Sequence, residues 1–162
     1  MPSPRPPVAS YKKQASIRAR FFHESSDSPL YVQVPVMIPH AESSALPHFP
    51  AVEALLGTRT VVHDTWVTVT NDHERLHRFL LSSTVHMDLI ANYALRAHFP
   101  DLPGWPGDIV VMAIGGKRRV VGIRGEKQAS LADEAVHKYV LRVFADWAND
   151  PTTAALLPPT DV

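Results

Sequence analysis

Six consecutive apolar residues, Ile109–Ile114, limit the fold more than any other stretch of the chain. Because successive side chains of a strand point to opposite faces, a run without polar residues predicts a central strand that is covered on both faces. Gly115 and Gly116 follow the run and predict a tight turn, after which Arg119–Ile123 returns as the partner strand. We therefore expect the chain to fold around a central sheet.

Two earlier segments alternate apolar and polar residues with a period of two. Residues 14–23 alternate around Ile17 and Phe21, and residues 30–38 repeat the pattern with Pro35 inside it. Such alternation is typical of a strand with two different faces, and a proline within a strand indicates a sheet edge. The two segments predict a hairpin. Its second strand is an edge through which two copies of the chain can associate.

A short helix and a third strand are predicted next. Ala51–Leu56 has helical spacing and is followed by Gly57, at the position where a helix end favours a left-handed residue. Thr58–Thr70 is rich in valine, threonine and tryptophan, which suit the half-buried surface of a sheet. This stretch is therefore predicted to be a strand.

Helix signals follow in two places. Asn71 with Glu74 three residues later has the pattern of a helix N-cap, and apolar residues then recur at spacings of three and four. This pattern predicts one long helix, or two stacked helices, over residues 72–98. Ser130 with Asp133 likewise predicts the start of a last helix.

These elements occur in the order β-β-α-β-α(α)-β-β-α and predict an α+β fold. Its mainly antiparallel sheet of about five strands has helices packed on one face. The chain has 162 residues, of which 45% are hydrophobic, enough for one core. We expect a disordered Pro-rich arm over residues 1–12, a single domain over 13–148 and a flexible tail over 149–162.

Composition excludes several classes of function. Sixteen basic residues balance sixteen acidic ones, so a nucleic acid or an acidic protein must be bound through a local patch. With no cysteine there is no disulfide, thiol nucleophile or thiolate metal site. No apolar run is long enough to predict a membrane span, and a cytoplasmic or nuclear location is expected. The basic, serine-containing first 23 residues overlap in composition with mitochondrial presequences, which leaves a mitochondrial location as the alternative.

The string His73-Glu74-Arg75-Leu76-His77 has the HExxH pattern and resembles zinc metallopeptidases over these five residues. On a helix, His73 and His77 would lie one turn apart and ligate zinc, while Glu74 would act as general base on a metal-bound water. His63, on the preceding strand, is the candidate third ligand. The alternative interpretation is that Glu74 completes a helix cap and that the histidines border an apolar stripe.

A second candidate site is a basic hairpin over residues 115–127. Its basic residues are Lys117, Arg118, Arg119, Arg124 and Lys127. Arginines on a two-stranded ribbon can hold phosphates or an acidic protein surface, and Arg18 and Arg20 would add to the patch if their strand lies nearby. The alternative is a solvated sheet edge that the charges protect from association.

Trp105 is the third candidate. It lies in a Pro-rich loop, where it is expected either to anchor a partner or to cover one end of the core. Together these features favour a non-enzymatic binding module that contacts its partner through the basic hairpin and needs no cofactor. A zinc-dependent hydrolase is the alternative. A small-molecule-binding domain, with its pocket between the sheet and the 71–98 helix, is the second alternative.

Overall fold

The computed structural model describes residues 11–13, 16–39, 49–57, 62–85, 91–116 and 119–154. The elements, in chain order, are β1 (Tyr11–Lys13), β2 (Ile17–Phe22), β3 (Leu30–Val34), β4 (Val36–Pro39), β5 (Phe49–Pro50), α1 (Glu53–Leu56), β6 (His63–Thr70), β7 (Leu76–Ser83), α2 (Tyr93–His98), β8 (Ile109–Ile114), β9 (Val120–Val121), α3 (Gly125–Asn149) and α4 (Pro151–Ala154). The α+β fold predicted from the sequence is confirmed. None of the helices in these ranges is long and apolar enough to cross a membrane.

The main sheet has six antiparallel strands in the order β3-β2-β8-β7-β6, with β9 also paired to β8. The strand β8 is central, and its residues Ile109–Ala113 are all buried, as the apolar run predicts. The predicted hairpin is formed by β2 and β3, with Ile17 opposite Val34 and Phe21 opposite Leu30. The strand β9 returns beside β8 after the glycine turn.

The helix α3 packs on one face of this sheet, over β6, β7 and β8. Side chains from both layers form the larger core, including Phe22, Val67, Phe79, Leu81, Ile109, Val111, Ala132, Val136, Tyr139 and Val140. The helix begins at Gly125, five residues before the predicted start at Ser130. Asp133 does not cap it, because its carboxylate instead pairs with Arg20 on β2.

The opposite face of the sheet carries a second cluster of buried residues. Val52 and Leu56, at the start and end of the short helix α1, belong to it together with Phe21, Val34 and Met112. Gly57 ends α1 with a φ of 89°, and its N–H donates to the Glu53 carbonyl oxygen, as predicted for a glycine at a helix end.

Pro35 divides the predicted strand 30–38. The part before it is β3, at the edge of the main sheet, and the part after it is β4, which lies between β1 and β5 in a separate three-stranded sheet. Within the predicted segment, Leu30–Val34 is therefore the part that forms a sheet edge.

The predicted helix over 72–98 is wrong for most of its length. Leu76–Ser83 is the strand β7, which pairs with β6 along eight residues. Its residues Phe79–Ser83 are all buried, because both faces of the sheet are covered at this position. Among the described residues of this range only Tyr93–His98 is helical, and it ends where the sequence predicts. Residues 86–90 lie outside the described residues.

Both predicted terminal segments contain regular structure. Tyr11 and Lys12 of the predicted arm belong to β1, which pairs with β4. The helix α4, Pro151–Ala154, occupies the first part of the predicted tail. Residues 1–10 and 155–162 of these segments lie outside the described residues.

Candidate functional site

A cleft of about 610 Å³ separates the turn between β6 and β7 from the first three turns of α3; we call it the turn–helix cleft. The turn side is lined by Thr70, Asn71, Asp72, His73 and His77, and the helix side by Arg124, Lys127, Gln128, Ser130, Leu131 and Glu134. Its volume falls within the range of small-molecule sites. The cleft brings together residues from two separate sequence candidates, the HERLH string and the basic segment.

Asn71 organises the turn side of the cleft. Its side-chain oxygen accepts from the backbone N–H groups of His73, at 3.0 Å, and Arg75, at 2.9 Å. The backbone N–H of Asn71 donates to the Arg75 carbonyl oxygen. Glu74, within this loop, has a φ of 59°, the left-handed conformation of a tight turn. These bonds present the backbone from Asp72 to Arg75 as a compact loop beside α3.

The hydrogen bonds of Asn71 also indicate the protonation of His77. Two N–H donors fix the Asn71 oxygen, so the atom that faces His77 Nε2 at 3.0 Å is the amide nitrogen. Because that amide donates, Nε2 of His77 is an acceptor, and the proton of the neutral ring lies on Nδ1. His77 is half-buried and can donate one hydrogen bond from Nδ1.

The helix side of the cleft begins where the chain turns from β9 into α3. Gly125 has a φ of 70°, a conformation that favours glycine, and the Arg124 N–H donates to the Gln128 side-chain oxygen. Among the described residues, the N-cap residue Arg124 provides no side-chain cap for the N–H groups of the first turn of α3. These N–H groups therefore leave a partial positive charge at this end of the cleft.

Charge is unevenly distributed along the helix side. Arg124 and Lys127 are exposed at the N-terminal end, and within the described parts of the chain neither forms an ion pair. Lys127, Leu131 and Glu134 are spaced four and three residues apart, so they follow one face of the helix. Glu134 lies about 10 Å along the axis from Lys127. The cleft lining is thus cationic at the N-terminal end of the helix and carries carboxylates at Glu134 and, on the turn side, at Asp72. Glu126 of the first turn does not line the cleft.

The three predicted zinc ligands do not all come together, although His73 and His77 both line the turn–helix cleft. The string forms a turn and the start of β7, so its two histidines are not one helical turn apart. His63 lies opposite Ser83, whereas His77 lies opposite Val69 six residues further along β6, which separates the two histidines by about 20 Å. Glu74 is exposed and does not line the cleft. Within the described ranges no group of three suitable side chains can hold a metal ion.

The structure divides the predicted basic hairpin. Lys117 and Arg118 lie outside the described residues. Arg119 is exposed beside the turn after β8, whereas Arg124 and Lys127 line the turn–helix cleft. These five basic residues therefore do not all belong to one hairpin.

The two arginines of β2 differ in their surroundings. The Ile123 N–H donates to the Arg18 carbonyl oxygen at 2.8 Å, so β2 does lie beside the segment that precedes α3. Arg20 is neutralised by Asp133. Arg18 is thus the cation of this strand that remains available beside the basic segment.

Trp105 is a core residue and not an exposed anchor. It is 1% exposed and packs against Tyr139 and Phe144 and in parallel against Trp147, with ring centroids 5.5, 6.1 and 5.6 Å away, respectively. The second interpretation of the Pro-rich loop, that its aromatic residues cover one end of the core, describes this position. A partner cannot reach the ring unless the fold opens.

The sequence did not identify as site residues six polar or charged residues that line the cleft, namely Thr70, Asn71, Asp72, Gln128, Ser130 and Glu134. Ser130 and Glu134 lie three and seven residues after Lys127 and so share its helix face, a spacing that indicates a common surface once the helix is begun at Gly125.

Comparison of the chain with protein-family models, with curated proteins and with solved structures found no match. Function is therefore inferred from the geometry of the site.

Proposed function

We propose that this protein is a non-enzymatic binding domain that holds a small polar ligand in the turn–helix cleft, through an anionic group of that ligand. The observation that carries the proposal is the position of Arg124 and Lys127, two cations without an ion-pair partner among the described residues, at the uncapped start of α3. A phosphate or carboxylate at this end would accept charge-assisted hydrogen bonds from both side chains.

The helix adds to the attraction for an anion. The first N–H groups of a helix point out of its N-terminal end, and the aligned peptide dipoles favour negative charge there. In the turn–helix cleft this end of the 25-residue α3 is combined with two exposed cationic side chains. The preference for an anion therefore depends on three contributions: the N-terminal end of α3 and the charges of Arg124 and Lys127. The two charges can be removed by substitution.

The remainder of the cleft favours a ligand that also carries hydroxyl groups. Glu134 supplies an acceptor about 10 Å from Lys127. The Nδ1 proton of His77 supplies a donor on the turn side, and Ser130 and Gln128 add groups that both donate and accept. A sugar phosphate or a hydroxylated carboxylate has this combination of groups.

The test is an NMR titration of the ¹⁵N-labelled protein with pairs of ligands, of which one member is anionic and the other is neutral. Glucose 6-phosphate is compared with glucose, and 3-phosphoglycerate with glycerol. We expect the anionic member of at least one pair to shift the amide signals of residues 71–77 and 124–134, and the neutral member to leave them unchanged. Binding should weaken between about 20 and 200 mM salt, because the partners are charged.

Matched variants distinguish binding in the cleft from a general attraction between the ligand and the surface charge of the protein. The double variant Arg124→Gln, Lys127→Gln should weaken binding by about tenfold or more. Arg142→Gln, which removes an exposed cation from another part of α3, should leave binding within about twofold. The proposal is overturned if no anionic ligand shifts the cleft amides, or if the double variant binds as tightly as Arg142→Gln.

A further inference from the structure

The strand β3, Leu30–Val34, is a free edge of the main sheet. It pairs with β2 on one side, and among the described strands none pairs with its other side. Its sequence, LYVQV, contains no charged residue and no proline, and Leu30 and Tyr31 are 44% and 43% exposed. Sheet edges are usually protected by charges, prolines or bulges, since an open row of N–H and C=O groups pairs readily with another strand. Within Leu30–Val34 itself neither a charge nor a proline is present, and prolines stand only at its flanks, Pro29 and Pro35.

The other edge of the same sheet is different. The Lys138 ammonium group on α3 donates to the Thr68 carbonyl oxygen of β6 at 2.9 Å. One acceptor of that edge is thus occupied, and a lysine stands beside it, which is a common way to prevent pairing. Of these two edges, β3 is therefore the one at which a further strand can pair more readily.

A cation lies over the unprotected edge. Arg18 is on β2, one strand inward, but its guanidinium carbon lies 3.7 Å from the centre of the Tyr31 ring on β3. The charge of Arg18 therefore lies against a side chain of β3, the strand that an added strand would adjoin. A stacked guanidinium keeps its in-plane N–H groups free for a carboxylate.

Arg18 carries the uncompensated charge at this edge. It forms no ion pair with any described residue, whereas the neighbouring Arg20, 5.2 Å from the same ring, is held by Asp133. A second copy of the chain paired antiparallel through β3 would bring its own Arg18 to the same face of the joined sheet. The repulsion of these like charges disfavours that dimer and favours an acidic partner.

We propose that the outer edge of β3 binds an extended acidic peptide segment of a partner protein by strand addition. Backbone hydrogen bonds to β3 would hold the segment, and acidic side chains at alternate positions would face Arg18. The intervening side chains would lie on the other face, beside Leu30 and the half-buried Val32. The recognised pattern alternates acidic and apolar residues.

The test uses the full chain and a fluorescein-labelled nine-residue peptide that alternates glutamate with valine. Fluorescence anisotropy should show saturable binding, and NMR should show shifted and exchange-protected amides within residues 30–34. A peptide with lysine in place of glutamate should bind at least tenfold more weakly, because it would face Arg18 with like charge. A glutamate peptide whose amide nitrogens are methylated at alternate positions should also lose binding, since it cannot complete the strand ladder.

Two variants test whether the peptide is bound through Arg18 and through the Tyr31 ring on which Arg18 stacks. Arg18→Gln should lower the affinity for the glutamate peptide by roughly tenfold. Tyr31→Leu should also weaken it, because the guanidinium loses the ring that positions it, whereas Arg142→Gln should have no effect. The proposal is overturned if the glutamate peptide does not bind, if the methylated peptide binds equally well, or if Arg18→Gln and Arg142→Gln give the same affinity. A concentration-dependent dimer that forms through β3 without peptide would also overturn it.

The two proposals fail independently. The double variant Arg124→Gln, Lys127→Gln affects the turn–helix cleft and should leave peptide binding at β3 within about twofold. Arg18→Gln should likewise leave ligand binding in the cleft unchanged.

Discussion

The guanidinium of Arg20 and the carboxylate of Asp133 form a two-point ion pair, with Nε 2.5 Å from Oδ1 and Nη2 2.9 Å from Oδ2. The side chains are only 12% and 15% exposed. His98 contacts the same carboxylate, with Nε2 2.9 Å from Oδ2. Because α3 itself covers β6, β7 and β8, this pair extends its attachment to β2, on the far side of the central strand.

Asp133→Asn is expected to destabilise the fold by roughly 2 kcal/mol, because it leaves a largely buried guanidinium without its counter-charge. Urea denaturation followed by circular dichroism measures the effect. Asp146→Asn, which removes an exposed carboxylate from the same helix, should change stability by less than about 0.5 kcal/mol. Equal effects of the two substitutions would show that the ion pair contributes nothing beyond a surface charge.

A second contact between α3 and the loop after α2 predicts a pH dependence. His137 Nε2 lies 2.7 Å from Asp101 Oδ2, and this hydrogen bond lowers the pKa of Asp101 below its ordinary value of 3.8. A carboxyl group with a lower pKa in the folded state stabilises that state above pH 3.8, and the contribution is lost as the pH falls through the folded-state pKa.

Stability should therefore fall less steeply with acidification in Asp101→Asn than in the unaltered protein. Urea midpoints measured between about pH 6 and pH 3 compare the two. An NMR titration of the Asp101 side-chain carbonyl carbon tests the cause directly, and a midpoint at or above 3.8 would contradict it.

Gly107 should be irreplaceable where the loop enters β8. Its φ is 144°, and a Cβ at this position would lie 2.0 Å from the carbonyl oxygen of Thr84. Its own carbonyl oxygen accepts a hydrogen bond from the buried Asn92 amide at 2.6 Å. Gly107→Ala is therefore expected to cost at least about 3 kcal/mol, or to prevent folding.

Gly116→Ala is the matched control, because a Cβ there would meet nothing within 4 Å. Thermal unfolding should place this variant within about 3 °C of the unaltered protein. An equally small shift for Gly107→Ala would show that the Thr84 contact relaxes freely.

The failure of the helix prediction over 72–98 has a physical cause in Asn71 and β7. A side-chain oxygen that accepts from N–H groups two to four residues ahead occurs both at a helix start and in a tight turn, so Asn71 did not distinguish them. Phe79 and Leu81 face α3 while Leu80 faces the opposite core, and burial on both faces removes the alternation by which a strand is recognised.

The candidate site was predicted only in its parts. His73 and His77 were selected for a metal and Arg124 and Lys127 for a hairpin, yet the four line one cleft. Nothing local records that the β6–β7 turn lies against the start of α3, since more than forty residues separate them in the chain. This proximity results from the packing of α3 across β6 and β7.

The sequence by itself determined the α+β class, the central strand Ile109–Ile114, the hairpin of β2 and β3, and the ends of α1 and α2. Each follows from the periodicity of neighbouring side chains or from a capping residue, which are local properties. Only the tertiary structure decided that Leu76–Ser83 is a strand, that Trp105 is buried, and which cations remain without an ion-pair partner among the described residues. Those outcomes depend on which distant surfaces come into contact when the core is buried.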